Sequence, residues 1–200
     1  MSVDKPRIER LTRELLEAIG EDPERPGLKQ TPARMAELYA EFFAGVGEDA
    51  AAPLERTISV SQGPAPDTLP SGAVLLRDIR FRSVCEHHLL PFAGHAHLAY
   101  LPGEQVVGLG ALVKVVETLA ARPQVQERLG EQIADTIDQK LDTRGVLVVL
   151  DAVHGCVTMR GGRQPETSTL TIAARGAYID PLARAELITL IGHPAAGGAL

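Results

Sequence analysis

The stretch SVCEHHLLPF, residues 83–92, sets a thiol, a carboxylate and two adjacent imidazoles between apolar flanks. The only other cysteine, Cys156, stands in DAVHGCVTMR, again close to a histidine, His154. Thiolate and imidazole are common zinc ligands, and catalytic zinc takes three protein ligands with a fourth position open for water. Cys85, one of His87 and His88, and Cys156 make such a set. An extended backbone aligns Cys85 with His87, whereas a tight turn brings Cys85 to His88, and spacing alone leaves both open. Read as a strand, AVHGCVTM puts His154 and Cys156 on one face. An unbound imidazole beside a thiolate ligand is placed to move protons at a metal-activated water.

His95 and His97 in GHAHLAY also share a strand face. Two histidines alone rarely hold a metal, so surface or interface roles fit them better. His193 lies near the end of the chain and carries no signal.

These groups need a scaffold. The chain has 200 residues, enough for one ordinary domain or a core with a smaller appendage. Its 44% apolar content supports a core, and with 4% aromatics and no Trp that core is aliphatic. A net charge of −6 argues against nonspecific binding to nucleic acid or to an anionic membrane surface. The opening MSVDKPRIERL lacks the apolar core of a signal peptide, and no apolar run approaches spanning length, which predicts a cytoplasmic protein. In that reducing setting, cysteines beside histidines point to metal or catalysis rather than a disulfide.

Ile8, Leu11, Leu15 and Ile19 fall at helical spacing, with Gly20 as a stop. A second helix opens at TPARMAELY with Thr31 as N-cap and Pro32 at the first helical position. Arg34 lies in its first turn, where the helix dipole disfavours a cation. Residues 50–71 read as a linker. Strands are expected at AVLLRDIRFRSV and GHAHLAYLP, then helix from about 109 to 141 broken near Pro123. Two further strands follow, GVLVVLDAVHGCVTMR and TSTLTIAARGAYI, and a short helix closes the pattern before a loose tail. The order predicts an α+β fold, an antiparallel sheet covered on one face by helices.

CEHHLLPF, ARPQVQERL, DAVHGCVTMRG and TPARMAELY, taken together, resemble the GTP cyclohydrolase I family over roughly Ile8 to Ile191. The resemblance implies the tunnelling fold, an antiparallel four-stranded sheet with two helices after an N-terminal helical region. Residues 1–70 would form that region and its linker, 71–192 the catalytic domain and 193–200 the tail. It implies a homo-oligomer, a toroidal decamer, with active sites between subunits. It also implies Zn2+ on Cys85, His88 and Cys156, with His87 and His154 as unbound catalytic histidines. The implied reaction is attack of water at C8 of GTP, ring opening, loss of C8 as formate and reclosure to 7,8-dihydroneopterin triphosphate. Glu127 matches the guanine-reading carboxylate, Arg160 a triphosphate-binding arginine, and Arg34 one donated across the subunit interface.

Family members usually carry Ser-Lys after GL, with an arginine three residues later. Here Gly110 and Ala111 replace the pair and Lys114 stands for the arginine, so a hydroxyl, a cation and a guanidinium fork are lost. This raises an alternative substrate, a less phosphorylated guanine nucleotide, unless Arg163 or another cation compensates. Two other classes remain to be distinguished. A related nitrile reductase would lack the zinc set, and a non-catalytic purine or pterin binder would not need His87, His154 and Glu127.

Overall fold

Alternating apolar residues build the sheet, and helical stripes cover it. The computed structural model describes residues 3–59, 72–159, 164 and 166–192. Helix α1 (Lys5–Ala18) is capped by Asp4, whose carboxylate accepts from Arg7 N–H at 3.0 Å. Helix α2 (Thr31–Phe42) starts at Thr31, so the expected cap residue is already helical and Gln30 precedes it. The segment expected to be linker contains a 3-10 turn (Ala52–Glu55) and strand β1 (Thr57–Ser59), which pairs antiparallel with β4 (Gln105–Val107).

The main sheet holds β2 (Val74–Cys85), β3 (Pro91–Leu101), β5 (Pro123–Gln124), β6 (Gly145–His154) and β7 (Thr169–Gly176). Its order is β5-β2-β3-β6-β7. The last four of these are the expected antiparallel sheet, and β5 adds a parallel pairing at the end of β2. Helices α3 (Leu109–Ala120) and α4 (Gln126–Leu141) flank β5, whose two residues occupy the predicted break near Pro123.

One face of the sheet presents Phe81, Phe92, Leu98, Val148 and Leu150 to Leu112 and Val116 of α3 and Ile133 and Ile137 of α4. The strand residues recur at a period of two and the helix residues at four, as one-sided burial requires. Arg175 of β7 donates to Asp135 of α4 at 2.7 Å and also pairs with Glu131, fixing that helix along the sheet. The opposite face is not bare, contrary to the one-face expectation. Ala99, Leu147, Val149 and Tyr178 bury it together with Leu187 of α6 (Pro181–Gly192). Among the described residues, no helix is long and apolar enough to cross a membrane.

Strand β2 carries a bulge between Leu76 and Ile79, where Asp78 takes a left-handed φ of 59°. Its N–H donates to Nδ1 of His97 at 3.3 Å. Burial holds the His97 imidazole below its ordinary value of 6.5, against the pull of the nearby Asp78 carboxylate. The folded state therefore binds fewer protons than the unfolded chain just below that value. This stability contribution is whole above 6.5 and is lost as pH falls through the folded pKa. The melting temperature is expected to drop between pH 7 and about pH 5, and less so in His97→Asn, which cannot titrate. Equal slopes for the two proteins in pH-dependent calorimetry would contradict this.

Candidate active site

The end of the sheet where β2 stops gathers most of the chemically capable residues. Cys85 closes β2 and is only 5% exposed. Its N–H donates to Leu90 O, and its own carbonyl accepts from Leu89 N–H, both at 2.9 Å. Glu86, His87 and His88 therefore form a tight turn, and Leu89 takes a φ of 52° to close it. The backbone thus adopts the turned alternative, the one that favours His88 over His87 as the partner of Cys85. Both rings are exposed, 6.4 Å apart and nearly perpendicular.

Strand β3 begins opposite the end of β2, with Val84 facing Pro91. In the next ladder Phe92 faces His154, the last residue of β6. The chain then coils into a helical turn, α5 (Gly155–Thr158), so Cys156 is helical and does not share a strand face with His154. Gly155 permits the coil, because a Cβ there would lie 2.9 Å from Pro91 O. The expected strand GVLVVLDAVHGCVTMR therefore ends at His154, and residues 155–158 are helical instead. Cys156 still arrives at the same end of the sheet as Cys85, and neither cysteine is in a disulfide. Among the described residues, no three His, Cys, Asp or Glu side chains converge closely enough to hold an ion as they stand. The donor chemistry suits zinc, since two thiols and an imidazole are a soft, nitrogen-and-sulfur set.

His154 is the best-defined group. Its ring stacks on Phe92 with centroids 4.6 Å apart and planes 4° apart. Its Nε2 lies 2.7 Å from Oε1 of Gln126. Gln126 is 1% exposed, and its amide nitrogen donates to Leu150 O at 3.0 Å and Thr169 O at 2.8 Å, with Thr171 Oγ1 at 3.2 Å. Those acceptors fix which end of the amide is oxygen. Nε2 of His154 must therefore donate, leaving the lone pair on Nδ1. Burial lowers the His154 pKa, opposed by the Glu127 carboxylate, so the neutral ring prevails near neutral pH.

Glu127 is exposed in the first turn of α4, where the helix dipole favours an anion. Its field reaches His154, which places it at the same end as the cysteines. Lys114 lies elsewhere. It pairs with Glu117 at 2.9 Å and lines a cavity of about 880 Å³ with Arg80, Arg82 and Glu41. Arg34 is exposed on α2. Among the described residues, no hydrogen bond or ion pair joins Arg34 or Lys114 to the cysteine–histidine cluster. Arg160, Arg163 and His193 fall outside the described residues. Sequence reasoning missed Gln126 and Phe92. A glutamine next to Glu127 carries no local sign of burial, and Phe92 reads only as core.

The sequence pattern described as GTP cyclohydrolase I matches residues 8–192. The GTP cyclohydrolase 1 of Leifsonia xyli subsp. xyli is 61% identical over 193 residues, covering 96% of this chain and 98% of that protein. The GTP cyclohydrolase 1 of Rhodopirellula baltica is 50% identical over 194 residues, covering 96% of this chain and 81% of that protein. Among solved structures, the archaeosine synthase QueF-Like in the apo form is similar at a TM-score of 0.46 and 18% identity, covering 55% of this chain and 98% of that one. A pattern match over residues 8–192 and identities of this size are shared ancestry: the chain belongs to the GTP cyclohydrolase I family.

Proposed function

We propose that this chain is a zinc-dependent GTP cyclohydrolase I, hydrolysing C8 of the guanine ring to release formate and form 7,8-dihydroneopterin triphosphate for pterin and tetrahydrofolate synthesis. The observation that carries this is the arrangement at one sheet end: the Cys85 turn, Cys156 and an imidazole locked by Gln126, with Glu127 in electrostatic reach. Cys85, His88 and Cys156 would hold the metal. When bound, zinc supplies Lewis acidity that makes water nucleophilic near neutral pH.

The chain's own residues do the rest. Glu127 offers two acceptor oxygens to the N1–H and N2 amino group of guanine, a pairing adenine cannot make. His154 has Nε2–H committed to Gln126, so it takes a proton at Nδ1 and returns it to a ring nitrogen. Phe92 holds the plane of that ring during the transfer. His87, exposed on the turn, serves as a second proton carrier. Arg160, Arg34 and Lys114 bind the phosphates, with Arg34 reaching a neighbouring subunit's site.

That neighbour requires a homo-oligomer, a decamer in this reading. Exposed Leu11 and Leu15 on α1, continued by Ile19 at its C-terminal cap, form a stripe, and Leu170 and Ile172 stand exposed on edge strand β7, which supports burial against further copies. A second substrate has one supporting observation. Gly110 and Ala111 carry neither the hydroxyl nor the cation of the Ser-Lys pair that the resemblance places there, which favours a guanine nucleotide with fewer phosphates.

One experiment tests both. Zinc-loaded protein, sized by light scattering, is given GTP, GDP, GMP and guanosine, and formate is measured. GTP is expected to be turned over, and kcat/KM for GDP within about tenfold of GTP would assign the second substrate. No formate from any of them removes the enzyme and leaves a binding protein. A mass of 21.3 kDa in solution removes the shared site.

A further inference from the structure

The turn after Cys85 is tied to the start of α4 at several levels. Val84 and Cys85 pair with Pro123 and Gln124 in the short parallel ladder. Glu86 N–H donates to Gln124 O at 3.0 Å. Arg128 then grips the Glu86 carboxylate with both terminal nitrogens, Nη1 on Oε1 and Nη2 on Oε2, the latter at 3.2 Å. Beneath them Gln124, 2% exposed, donates to Leu119 O at 3.1 Å and Gln132 Oε1 at 2.8 Å, anchoring the ladder to both helices.

The two ends of the ion pair are well placed. Glu86 sits between Cys85 and His87, and Arg128 directly follows Glu127. A forked guanidinium on a carboxylate fixes direction as well as distance, which an ammonium does not. The pair is 33% exposed on Glu86 and 49% on Arg128, so solvent screening leaves it little weight in global stability. Geometry is a different matter, because a misplacement of about 1 Å at a reacting centre costs about a hundredfold in rate.

We propose that Glu86 and Arg128 form a positioning brace that sets the metal-bearing turn against the guanine-reading Glu127. Neither touches the substrate. The role of Glu127 and the zinc on the turn both rest on the function proposed above, whereas the Glu86–Arg128 contact itself does not.

Glu86→Gln, Arg128→Met, Arg128→Lys and the double variant Glu86→Gln/Arg128→Met, each in the full chain, test it. Zinc affinity by chelator competition, kcat and KM for GTP, and Tm are measured. Either neutral single variant is expected to lower kcat by about 10–100-fold, with KM changed less than about threefold. Zinc affinity is expected to fall by about tenfold, and Tm to move by less than about 2 °C. The double variant should be no worse than the worse single, since both remove one contact. Arg128→Lys should fall between parent and Arg128→Met, keeping charge without the fork.

Losses that multiply in the double variant overturn the brace. So do unchanged kcat and zinc affinity in both singles, or an activity loss that merely follows a large fall in Tm. If the parent releases no formate from GTP, the functional reading falls on its own. The zinc-affinity cycle then decides the brace, coupling supporting it and independence overturning it.

Discussion

Cys156→Ala is expected to strip the protein of zinc and to cut formate release from GTP by about a thousandfold or more. The size follows from what the thiolate does. Lewis acidity contributes several kcal/mol of transition-state stabilisation, and each 1.4 kcal/mol or so is about tenfold in rate. Cys85 and Cys156 are the only thiols of the chain, so no neighbouring sulfur can replace the lost one. The site lies at the rim of the sheet, and Cys156 is half-buried on a helical turn of residues 155–158 outside the main apolar cluster. Alanine there removes a ligand without opening a core cavity, and Tm of the metal-free protein should stay close to that of metal-free parent. Met159→Ala, at an exposed position just beyond the turn, is the control and should keep zinc and activity. Zinc content and formate release measured together decide the matter. A Cys156→Ala protein that retains stoichiometric zinc and parental turnover would remove Cys156 from the ligand set.

The residues that carry this expectation were legible in the sequence because their signals are local. CEHH and HGC hold every thiol of the chain beside a histidine, and metal-ligand chemistry is written in residue type. The sheet was legible for a similar reason, since β2, β3, β6 and β7 alternate or run apolar over lengths that short-range pattern detects. What escaped depends on contacts between distant segments. Strand β5 is two residues long and exists only because β2 passes beside it. Strand β6 stops at His154, where the chain coils into the 155–158 turn against the start of β3, a contact between segments that no local pattern shows. Helix α6 covers the second sheet face, yet Leu182 and Leu190 are exposed on it, so its sequence does not show which side is buried.

Gln126 belongs to the same hidden class, and its replacement has the second large expected effect. Gln126→Leu removes the acceptor of His154 Nε2–H together with donors to Leu150 O and Thr169 O. Leaving buried polar groups short of a partner costs about 1–3 kcal/mol. At about 2–4 °C per kcal/mol for a chain of this size, Tm should fall by about 2–12 °C. The catalytic loss should be larger than that cost alone produces. In the parent the Gln126 amide cannot rotate without turning its nitrogen onto His154 and its oxygen onto two carbonyls, so one tautomer is enforced. Leucine enforces none, and an imidazole that presents N–H where a lone pair is needed cannot take the proton. Loss of tautomer control in a comparable imidazole site costs about 10⁴ in kcat, and Phe92 still orients the ring here. A fall in kcat of about 10²–10⁴ is therefore expected, well below the melting transition and with zinc content unchanged. Nitrogen-15 chemical shifts of His154 supply the readout that a purely structural role would not move. The parent should show a protonated Nε2 and an unprotonated Nδ1 at neutral pH, and the variant a mixture. A parent spectrum with the proton on Nδ1, or a Gln126→Leu enzyme at parental kcat, would sink the assignment.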